Sequence, residues 1–348
     1  MRVLTVVGAR PQFIKAAPLS RALAEAGHEE IMVHTGQHYD SEMSERFFEE
    51  LGIREPDVHL GVGSAPRGEQ IAAMRAGVGA VISGRAPDWI VVLGDTNSTL
   101  AGALAAAALC VPLAHIEAGV RSGNLRMQEE VNRIETDRLS ALLLCPSDRA
   151  AANLAGEHVE GRVEVVGDVM IDALEQIRPH LSEDVPRSLG LQPGVYLFVT
   201  VHRAENVDDP RRLGAILTVL TDLAEPVALP AHPRTRAAIV VLGVPLPAQV
   251  HLLAPVGHLE SLSLQRSARA VVTDSGGIQK EAYWLGVPCV TLFENTAWPE
   301  TVEAGWNTLA GVDPVRIADS VRWLAPPEAR PPLYGGPGAA ERCVALFA

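Results

Sequence analysis

Short apolar runs alternate with helical patterns along most of this 348-residue chain, and this alternation constrains the fold more than any other feature. In the first half, an apolar run covers 89–93, a helical pattern rich in small residues covers 100–109, and a second apolar run covers 111–114. A strand, a helix and a strand in this order predict a βαβ unit with parallel strands. The sequence therefore predicts an α/β protein built on doubly wound parallel sheets.

The same alternation starts again near residue 195, after a stretch at 178–193 that has three prolines and no clear period. A chain of this length is long enough for two domains. We therefore expect an N-terminal Rossmann-like domain at 1–170 and a second Rossmann-like domain at 171–334. Two such domains facing each other would form a cleft, which is where ligands commonly bind.

Composition narrows the classes of function. The net charge of −13 makes a nucleic-acid surface improbable on physical grounds, and no apolar run reaches the length of a membrane span. The first residues, MRVLTVVGARP, indicate a strand and a turn rather than a signal peptide. The four cysteines are far apart and have no metal-binding spacing, so we predict buried, reduced thiols and no metal site. These features predict a cytoplasmic protein without a membrane partner.

Carboxylates and a histidine gather where the predicted strands of the first half end. Asp95 ends one strand, His115 and Glu117 end the next, and Glu129 opens the helix that follows. Because ligands bind beyond the C-terminal ends of parallel strands, these groups predict an acid/base site. Asp95 could instead cap the following helix, and Glu129 could interact with its helix dipole. An unpaired buried carboxylate is costly, which favours a functional role for Glu117.

Two predicted helix starts offer places for an anion. Arg10 and Lys15 lie at or near the start of the helix after the first strand, and Ser275-Gly276-Gly277 opens a helix in the second half. A helix N-terminus carries partial positive charge, and glycine lets backbone amides approach a phosphate closely. The alternatives are solvated surface charge for the two cations and an ordinary turn for the glycines.

Further polar residues lie at other strand ends. His202 and Arg203 could neutralise a diphosphate, and His202 could also donate a proton. Glu281, in the helix after the glycine pair, could accept hydrogen bonds from a ribose. His38 is either a ligand contact or a loop residue. Alternatively, His202 is a histidine of the core, and Glu281 interacts with the dipole of its helix.

Taken together, several segments resemble one family, the non-hydrolysing UDP-N-acetylglucosamine 2-epimerases. They span both halves of the chain in the order found in that family. The segments are GARPQFIKAAP from Gly8, GDTNSTLAGALAA from Gly94, HIEAGVRSGN from His115, EEVNR from Glu129, TVHRAEN from Thr200 and TDSGGIQKEA from Thr273.

The resemblance implies the glycosyltransferase-B type of fold, with two Rossmann-like domains facing across the active cleft. It also implies that the last segment, 335–348, is a helix that crosses back to the first domain. Family members are usually homodimers, so we expect a homodimer. The family's reaction needs neither a metal nor another cofactor, and its partner is a UDP-sugar.

The resemblance further implies a mechanism. A base removes the proton at C2 of the sugar while UDP leaves C1, which gives a 2-acetamidoglucal, and UDP then adds back as a proton returns to the opposite face of C2. By matching positions, Asp95, Glu117 and Glu129 are the acid/base candidates, and His202 accompanies the leaving phosphate. Which carboxylate is the base stays open. The matched substrate-binding residues are Arg10, Lys15, His38, Arg121, Arg203, Ser275, Gly276, Gly277 and Glu281.

Some positions depart from the family pattern. Gln128 stands where a proline is common, and Phe293 and Ala297 replace an arginine and a glutamate in a loop after a strand. The sequence from Gln37 to Asp40 differs from the form in members activated by their own substrate, so we expect no such activation. That sequence also resembles the branch acting on UDP-2,3-diacetamido-2,3-dideoxyglucuronic acid, which is the alternative substrate.

Two other classes of function use similar sequence features. A glycosyltransferase on the same fold would need an open site for an acceptor and would not need three carboxylates around C2. A non-catalytic nucleotide-sugar binding protein would bind the UDP-sugar without turning it over. Our hypothesis is C2 epimerisation of UDP-N-acetylglucosamine to UDP-N-acetylmannosamine, as a step of cell-surface polysaccharide biosynthesis.

Overall fold

The computed structural model describes residues 1–37 and 54–347, with the side chain of Arg10 left out. The chain divides into two compact units. Unit 1 combines Met1–Ile177 with the C-terminal segment that starts at Pro332, and unit 2 comprises Arg178–Pro331. Each unit is described by itself.

Unit 1 is built on a parallel sheet with strand order β3-β2-β1-β4-β5-β6-β7. Its central strands are apolar and buried along most of their length, as is typical of a parallel sheet covered by helices on both faces. The strands are β1 Arg2–Val7, β2 Glu29–His34, β3 Val58–His59, β4 Trp89–Leu93, β5 Leu113–Ile116, β6 Leu142–Cys145 and β7 Arg162–Val165. The helices are α1 Arg10–Glu25, α2 Arg67–Arg85, α3 Asn97–Ala108, α4 Gln128–Leu139, α5 Asp148–Glu157 and α6 Val169–Ile177.

Unit 2 repeats this plan with strand order β10-β9-β8-β11-β12-β13. The strands are β8 Leu197–Thr200, β9 Val227–Pro230, β10 Val250–Leu253, β11 Ala270–Thr273, β12 Cys289–Thr291 and β13 Asn307–Leu309. A 3₁₀ turn covers Arg178–His180. The helices are α7 Asp184–Ser188, α8 Ala204–Val207, α9 Pro210–Asp222, α10 Pro233–Leu242, α11 His258–Arg266, α12 Gly276–Leu285, α13 Pro299–Glu303 and α14 Pro314–Trp323. The predicted α/β class with doubly wound parallel sheets is therefore confirmed in both units.

Each sheet reverses its strand order once, and this reversal decides where ligands can bind. In unit 1 the reversal lies between β1 and β4, and in unit 2 it lies between β8 and β11. In doubly wound sheets the loops diverge at such a reversal and leave a crevice at the C-terminal strand ends. The segments after these four strands are the ones in which the sequence placed most of its candidate residues.

The C-terminal segment packs on unit 1. It ends in helix α15, Ala339–Val344, which packs on α1 and α6. Asp172 accepts hydrogen bonds from the backbone amides of Gly338 and Ala340 at 2.7 and 2.8 Å. The indole N–H of Trp89 donates to the carbonyl of Phe347 at 3.0 Å.

The unit boundaries differ from the predicted bounds. The predicted boundary at 170/171 falls inside α6, which is buried along most of its length and packs on α1, so the unit extends to Ile177. At the other end, the amide of Asp168 donates to the carbonyl of Tyr334 at 3.0 Å. The return to unit 1 therefore starts at Pro332, before the predicted 335.

Two further structural features bear on the sequence predictions. Across the described residues, no helix is long and apolar enough to cross a membrane.

Cys145, Cys289 and Cys343 are buried as predicted, and burial raises the pKa of the Cys145 and Cys289 thiols to about 12. The prediction of a buried thiol is wrong for Cys110, which is exposed because it lies in the turn after α3 with a φ of 54°.

The core of unit 1 contains a titratable group at the end of β2. His34 is 2 % exposed, and its ring stacks on Phe13 with centroids 5.1 Å apart. Burial, with a smaller contribution from the charge of the neighbouring His59, lowers the pKa of His34 from 6.5 to about 4. The folded protein therefore holds this ring in its neutral form at neutral pH.

We expect His34 to make stability depend on pH between about 6.5 and 4. Above this range both states carry a neutral ring, whereas below pH 6.5 the unfolded chain binds a proton that the folded chain excludes. At about 1.4 kcal/mol per pKa unit, the free energy of unfolding should fall by about 3 kcal/mol. Urea unfolding at pH 7.5, 5.5 and 4.5 should show a smaller decrease for His34→Phe than for the wild type. The exposed control His158→Asn should keep the wild-type slope, and an equal slope in all three proteins would contradict the prediction.

Candidate active site

Glu117 forms a buried ion pair with Lys15 in unit 1. The Lys15 Nζ lies 2.8 Å from Glu117 Oε1, and the two side chains are 9 % and 6 % exposed. Glu117 follows β5 directly, while Lys15 lies in the second turn of α1 after β1. Gly94 at the end of β4 adjoins both, since a Cβ built on it would lie 3.1 Å from Lys15 Nζ and 3.7 Å from Glu117 Oε1. The structure thus brings the ends of β1, β4 and β5 together around one charge pair.

Asp95 is bound by a cation rather than used as a helix cap. Its carboxylate accepts a short hydrogen bond from Arg133 of α4. Thr96 caps α3 instead, because its side chain accepts a hydrogen bond from the amide of Thr99. The capping alternative for Asp95 is therefore wrong.

Glu129 and Glu130 have different surroundings at the start of α4. Glu130 is 2 % exposed and accepts hydrogen bonds from the amides of Ser122 and Gly123 and from Arg133. It therefore holds the loop before α4. Glu129 is half-buried and lies one helical turn before Arg133, on the helix face that reaches Asp95.

Arg121 is engaged by two carboxylates of its own unit. Its guanidinium donates to Asp137 at 2.7 Å and to Glu157 at 2.7 and 2.8 Å. Burial would lower the pKa of Arg121, but these two partners raise it. The predicted role in substrate binding does not follow from these contacts, which instead make Arg121 part of the support of Asp137.

Sequence reasoning did not single out Gln12, which joins the ends of β1 and β4. Its side-chain oxygen accepts hydrogen bonds from the amides of Gly8 and Ala9 at 2.9 and 3.1 Å. Its amide nitrogen donates to the carbonyl of Leu93 and to Thr99 Oγ1, both at 3.0 Å. The only signal in the sequence was its position inside the segment GARPQFIKAAP.

In unit 2, Asp274 organises the ends of β8 and β11. It is 1 % exposed and accepts hydrogen bonds from the amides of His202 and Arg203 and from the Asn206 side chain. Burial would raise its pKa, but the hydrogen bond and charge of His202, with help from Arg203 and Asn206, lower it. Sequence reasoning read Asp274 only as the end of a strand.

His202 is held by this aspartate at its Nδ1, which lies 3.0 Å from an Oδ1 of Asp274. The ring itself is 49 % exposed, so its other nitrogen is available to a ligand at the C-terminal end of β8. A fully buried core histidine, the alternative from the sequence, is therefore wrong. Arg203 lies beside it as the N-cap residue of α8.

Ser275 opens the helix start predicted to bind phosphate. It caps α12, and its hydroxyl accepts a hydrogen bond from the amide of Ile278 at 3.4 Å. Neither Gly276 nor Gly277 needs a left-handed backbone, and a Cβ on Gly277 would come no closer than 3.9 Å to another atom. The packing of the chain therefore does not require the second glycine.

Glu281, one turn further along α12, is 7 % exposed. It accepts a hydrogen bond from Gln265 Nε2 at 2.7 Å, which fixes one of its oxygens. Next to it, the Lys280 ammonium lies 3.8 Å from the centroid of the Trp298 ring. The indole N–H of Trp298 in turn lies 3.4 Å from where a Cβ of Gly276 would be. The helix start is thus supported from within unit 2.

The sequence analysis also named Arg10, His38 and Phe293. Arg10 is the first residue of α1, at the C-terminal end of β1. His38 lies outside the described residues, as does most of the sequence from Gln37 to Asp40. The guanidinium of Arg212, in α9, lies 5.8 Å from the centroid of the Phe293 ring. Among the described residues, no group of three or more His, Cys, Asp or Glu side chains could hold a metal ion.

Fold and site together define a class of protein. Two doubly wound units, with carboxylates paired to cations at the strand ends of one and a glycine-rich helix start at the strand-order reversal of the other, define a class of α/β proteins with ligand sites at the C-terminal ends of parallel strands. The chain matches the family model described as UDP-N-acetylglucosamine 2-epimerase over residues 21–348. The chain therefore belongs to the UDP-N-acetylglucosamine 2-epimerase family, whose activity is an isomerase activity.

Individual relatives agree with this assignment. A UDP-2,3-diacetamido-2,3-dideoxy-D-glucuronate 2-epimerase of Pseudomonas aeruginosa is 45 % identical over 100 % of this chain and 99 % of its own length. A UDP-N-acetylglucosamine 2-epimerase of Methanocaldococcus jannaschii is 37 % identical, with 92 % and 91 % of the two chains covered.

Solved structures agree as well. The crystal structure of the Methanocaldococcus jannaschii UDP-GlcNAc 2-epimerase in complex with UDP-GlcNAc and UDP has a TM-score of 0.93 at 36 % identity, with 100 % of this chain and 99 % of that chain covered. The calicheamicin glycosyltransferase CalG4, at 18 % identity and a TM-score of 0.60 over 99 % and 98 % of the two chains, shares the fold alone. The predicted glycosyltransferase-B type of fold is confirmed.

Proposed function

We propose that this protein epimerises UDP-N-acetylglucosamine at C2 to UDP-N-acetylmannosamine by eliminating and re-adding UDP. The observation that carries the proposal is the pair of carboxylates, Asp95 and Glu117, each held by a cation at adjacent strand ends of unit 1. Membership of the epimerase family supports the same reaction. UDP-GlcNAc is also the ligand named in the complex of the Methanocaldococcus jannaschii enzyme.

The proposed reaction needs a base, an acid and a stable site for UDP. A carboxylate takes the C2 proton, the C2–H electrons form the C1–C2 double bond, and the C1–O bond breaks with its electrons leaving on UDP. UDP then attacks C1 again, and an acid returns a proton to the opposite face of C2. Two proton-transfer groups on opposite faces of the ring are required, and we assign them to the set Asp95, Glu117 and Glu129.

The Lys15 ammonium supports this assignment on electrostatic grounds. In a medium of low dielectric constant, a buried ammonium offsets the charge of the carboxylate beside it. Arg133 pairs in the same way with Asp95, which is 27 % exposed. Each of these two candidate bases therefore has a cation that offsets its charge.

Unit 2 supplies the proposed UDP site. We assign the diphosphate to the start of α12 at Ser275, Gly276 and Gly277 and a ribose contact to Glu281. Arg10 of unit 1 is assigned to substrate binding on the family resemblance alone. His202 would accompany the leaving phosphate, since its exposed ring nitrogen can donate a proton or a hydrogen bond. Arg203 and Lys15 complete the binding set, with Lys15 close to the reacting sugar.

UDP-2,3-diacetamido-2,3-dideoxyglucuronic acid is the alternative substrate. The relative from Pseudomonas aeruginosa, 45 % identical over the whole chain, carries that activity in its name. This substrate has an additional carboxylate and a C3 acetamido group, and the chemistry at C2 would be the same. A glycosyltransferase or a non-catalytic binding protein is not supported by the family membership.

The test is proton NMR in heavy water with each of the two UDP-sugars. With UDP-N-acetylglucosamine we expect the C2 proton signal to disappear and resonances of the manno-configured UDP-sugar to appear. Exchange only with the diacetamido-uronate would establish the alternative substrate. Release of free UDP and sugar without an epimer, or no change with either compound, would contradict the proposal.

We expect Gly277→Ala to weaken UDP binding without weakening the fold. The added Cβ meets no atom of the chain closer than 3.9 Å, and alanine in a first helical turn stabilises by about 0.5–1 kcal/mol. The same Cβ would obstruct a phosphate approaching the backbone amides, so affinity for UDP should fall by roughly ten-fold or more. Calorimetric titration with UDP and thermal unfolding measure the two effects.

Gly214→Ala is the matched control for that experiment. Gly214 lies in α9 of the same unit, and its Cβ would also meet nothing within 4 Å. It should raise stability similarly and leave UDP affinity unchanged. Equal UDP affinity of both variants would remove the start of α12 from the proposed site.

We further propose that the protein acts in the cytoplasm as a homodimer within the synthesis of a cell-surface polysaccharide. The homodimer and the pathway rest on the family resemblance, and the cytoplasmic location rests on the composition of the sequence. Light scattering coupled to gel filtration tests the oligomeric state, and a mass of one 37.1 kDa chain at all concentrations would contradict the homodimer.

A further inference from the structure

Asp137 lies in a buried chain of charged and polar groups in unit 1. Its Oδ1 lies 2.6 Å from Nδ1 of His115, and its Oδ2 accepts hydrogen bonds from Arg121 at 2.7 Å and from the amide of Gly119 at 3.2 Å. The other ring nitrogen of His115, Nε2, lies 2.7 Å from the carbonyl oxygen of Gly94. The side chains of His115 and Asp137 are fully buried.

These distances define the protonation of the pair. The carbonyl of Gly94 can only accept, so Nε2 of His115 carries a proton. Asp137 already accepts two hydrogen bonds on Oδ2. Burial would raise the pKa of Asp137, but the charge and hydrogen bond of His115, together with Arg121, lower it. Because Arg121 and the amide of Gly119 both donate to Oδ2, the geometry makes Oδ1 the acceptor of a proton held on Nδ1 of His115. With Nε2 also a donor, this arrangement is that of an imidazolium.

The pair is connected to the two turns that carry the proposed acid/base residues. Through His115 it holds the carbonyl of Gly94, the residue immediately before Asp95. Through Oδ2 of Asp137 it holds the amide of Gly119, two residues after Glu117. His115 therefore contacts the turn before Asp95, and Asp137 contacts the turn after Glu117.

Both turns contain residues whose φ is positive. Gly94 and Gly119 have φ values of 64° and 75°, and Glu117 has a φ of 70°. The left-handed region is uncommon for a side chain such as glutamate, and it persists where the surroundings fix it. Further support comes from the amide of Glu117, which donates to the carbonyl of Leu144 at 3.0 Å. Glu117 can thus face Lys15 only while this turn is held.

We infer that Asp137 is a positioning residue for the reaction, acting through the His115 imidazolium to hold the turns that present Asp95 and Glu117. The inference rests on the proposed function, because these two carboxylates matter only if they transfer protons. Asp137 itself touches neither the sugar nor UDP in this proposal. Groups that orient reacting residues through one hydrogen bond typically affect rate more than affinity.

The protonation of His115 can be measured without any substrate. In ¹⁵N-histidine-labelled protein, the His115 resonances are assigned by their loss in His115→Gln. We expect both ring nitrogens to be protonated in the wild type at pH 7.5, and one of them to lose its proton in Asp137→Asn. A wild-type His115 with one unprotonated nitrogen would overturn the inference.

Two substitutions at His115 then separate its two hydrogen bonds. The amide nitrogen of glutamine can replace Nε2 and donate to Gly94, whereas that of asparagine can replace Nδ1 and reach only Asp137. If the bond to Gly94 positions the site, His115→Gln should keep more turnover than His115→Asn, which should lose about 10- to 100-fold in kcat. Equal kcat values for the two variants would overturn the inference, even if Asp137→Asn failed to fold.

For Asp137→Asn we expect a decrease of about 10- to 100-fold in kcat, with KM and UDP affinity within about three-fold of the wild type. Glu157→Gln is the control, because Glu157 pairs with Arg121, whereas the hydrogen bonds of His115 go to Asp137 and Gly94. The kcat of this variant should stay within about three-fold of the wild type. Parallel losses of kcat, UDP affinity and thermal stability in Asp137→Asn would show a merely structural role.

A wild type that exchanges no C2 proton with either UDP-sugar would instead overturn the proposed function, while the His115 spectrum would still report on the buried pair.

Discussion

Glu117→Gln is expected to abolish most turnover, by roughly 10²- to 10⁴-fold in kcat, while UDP affinity stays at the wild-type value. Glutamine has nearly the same shape and can still accept a hydrogen bond from Lys15, but it can neither take nor return a proton. The diphosphate is assigned to a helix start in the other unit, so its binding should not change. The rate of C2 proton exchange at saturating UDP-sugar and the Kd of UDP measure the two quantities.

Glu135→Gln is a suitable control for this experiment. Glu135 lies on α4, is 49 % exposed and pairs only loosely on the surface with Arg138, three residues further along the helix. Its removal should change kcat by less than two-fold, because surface ion pairs contribute little. If Glu117→Gln lost turnover and UDP affinity by the same factor, Glu117 would be a structural residue, and Asp95 would become the remaining candidate that is paired with a cation.

Gly119→Ala is expected to have the largest effect on stability. Gly119 has a φ of 75°, and a Cβ at this position would lie 2.2 Å from the carbonyl oxygen of Ala150. The left-handed backbone costs a side chain about 1–2 kcal/mol, and relief of the overlap by moving the backbone costs about 1–3 kcal/mol more. The free energy of unfolding should therefore decrease by roughly 2–5 kcal/mol. Urea unfolding followed by circular dichroism measures the change.

The same loop provides the control for this prediction. Gly123 has a φ of 72°, but a Cβ there would meet nothing within 4 Å. Gly123→Ala should therefore cost only the backbone strain of about 1–2 kcal/mol. The difference between the two variants isolates the contact with Ala150, and equal losses would mean that backbone conformation alone requires glycine at Gly119.

Most of the fold was predictable because its signals are local. The apolar run of β4 ends directly at Gly94, and that of β11 ends at Asp274, two residues before Gly276. The helices after them have caps or glycine stops that a sequence displays directly. Strands β10 and β13 were not predicted, since they are short and contain His251 or Asn307. Their strand conformation comes from pairing with β9 and β12, which depends on residues distant in sequence.

The candidate site was predictable in its residue types but not in its pairings. The sequence placed Asp95 and Glu117 at strand ends, yet it did not indicate that Arg133 and Lys15 are their partners. Gln12, Asp137 and Asp274 were missed because each acts through hydrogen bonds to residues that are remote along the chain or to the backbone. Each of these three contacts is a long-range product of the completed sheet.

The sequence by itself determined the class of fold, its two repeated halves and the chemical groups at the strand ends. These properties follow from hydrophobic periodicity, turn residues and motif order, which are all local along the chain. Only the tertiary structure decided which carboxylates are buried against cations, that His115 is held between Asp137 and Gly94, and that the chain returns to unit 1 at Pro332. Burial and pairing of charges depend on groups brought together by folding, and the energy of a charge is set by those surroundings rather than by its neighbours in sequence.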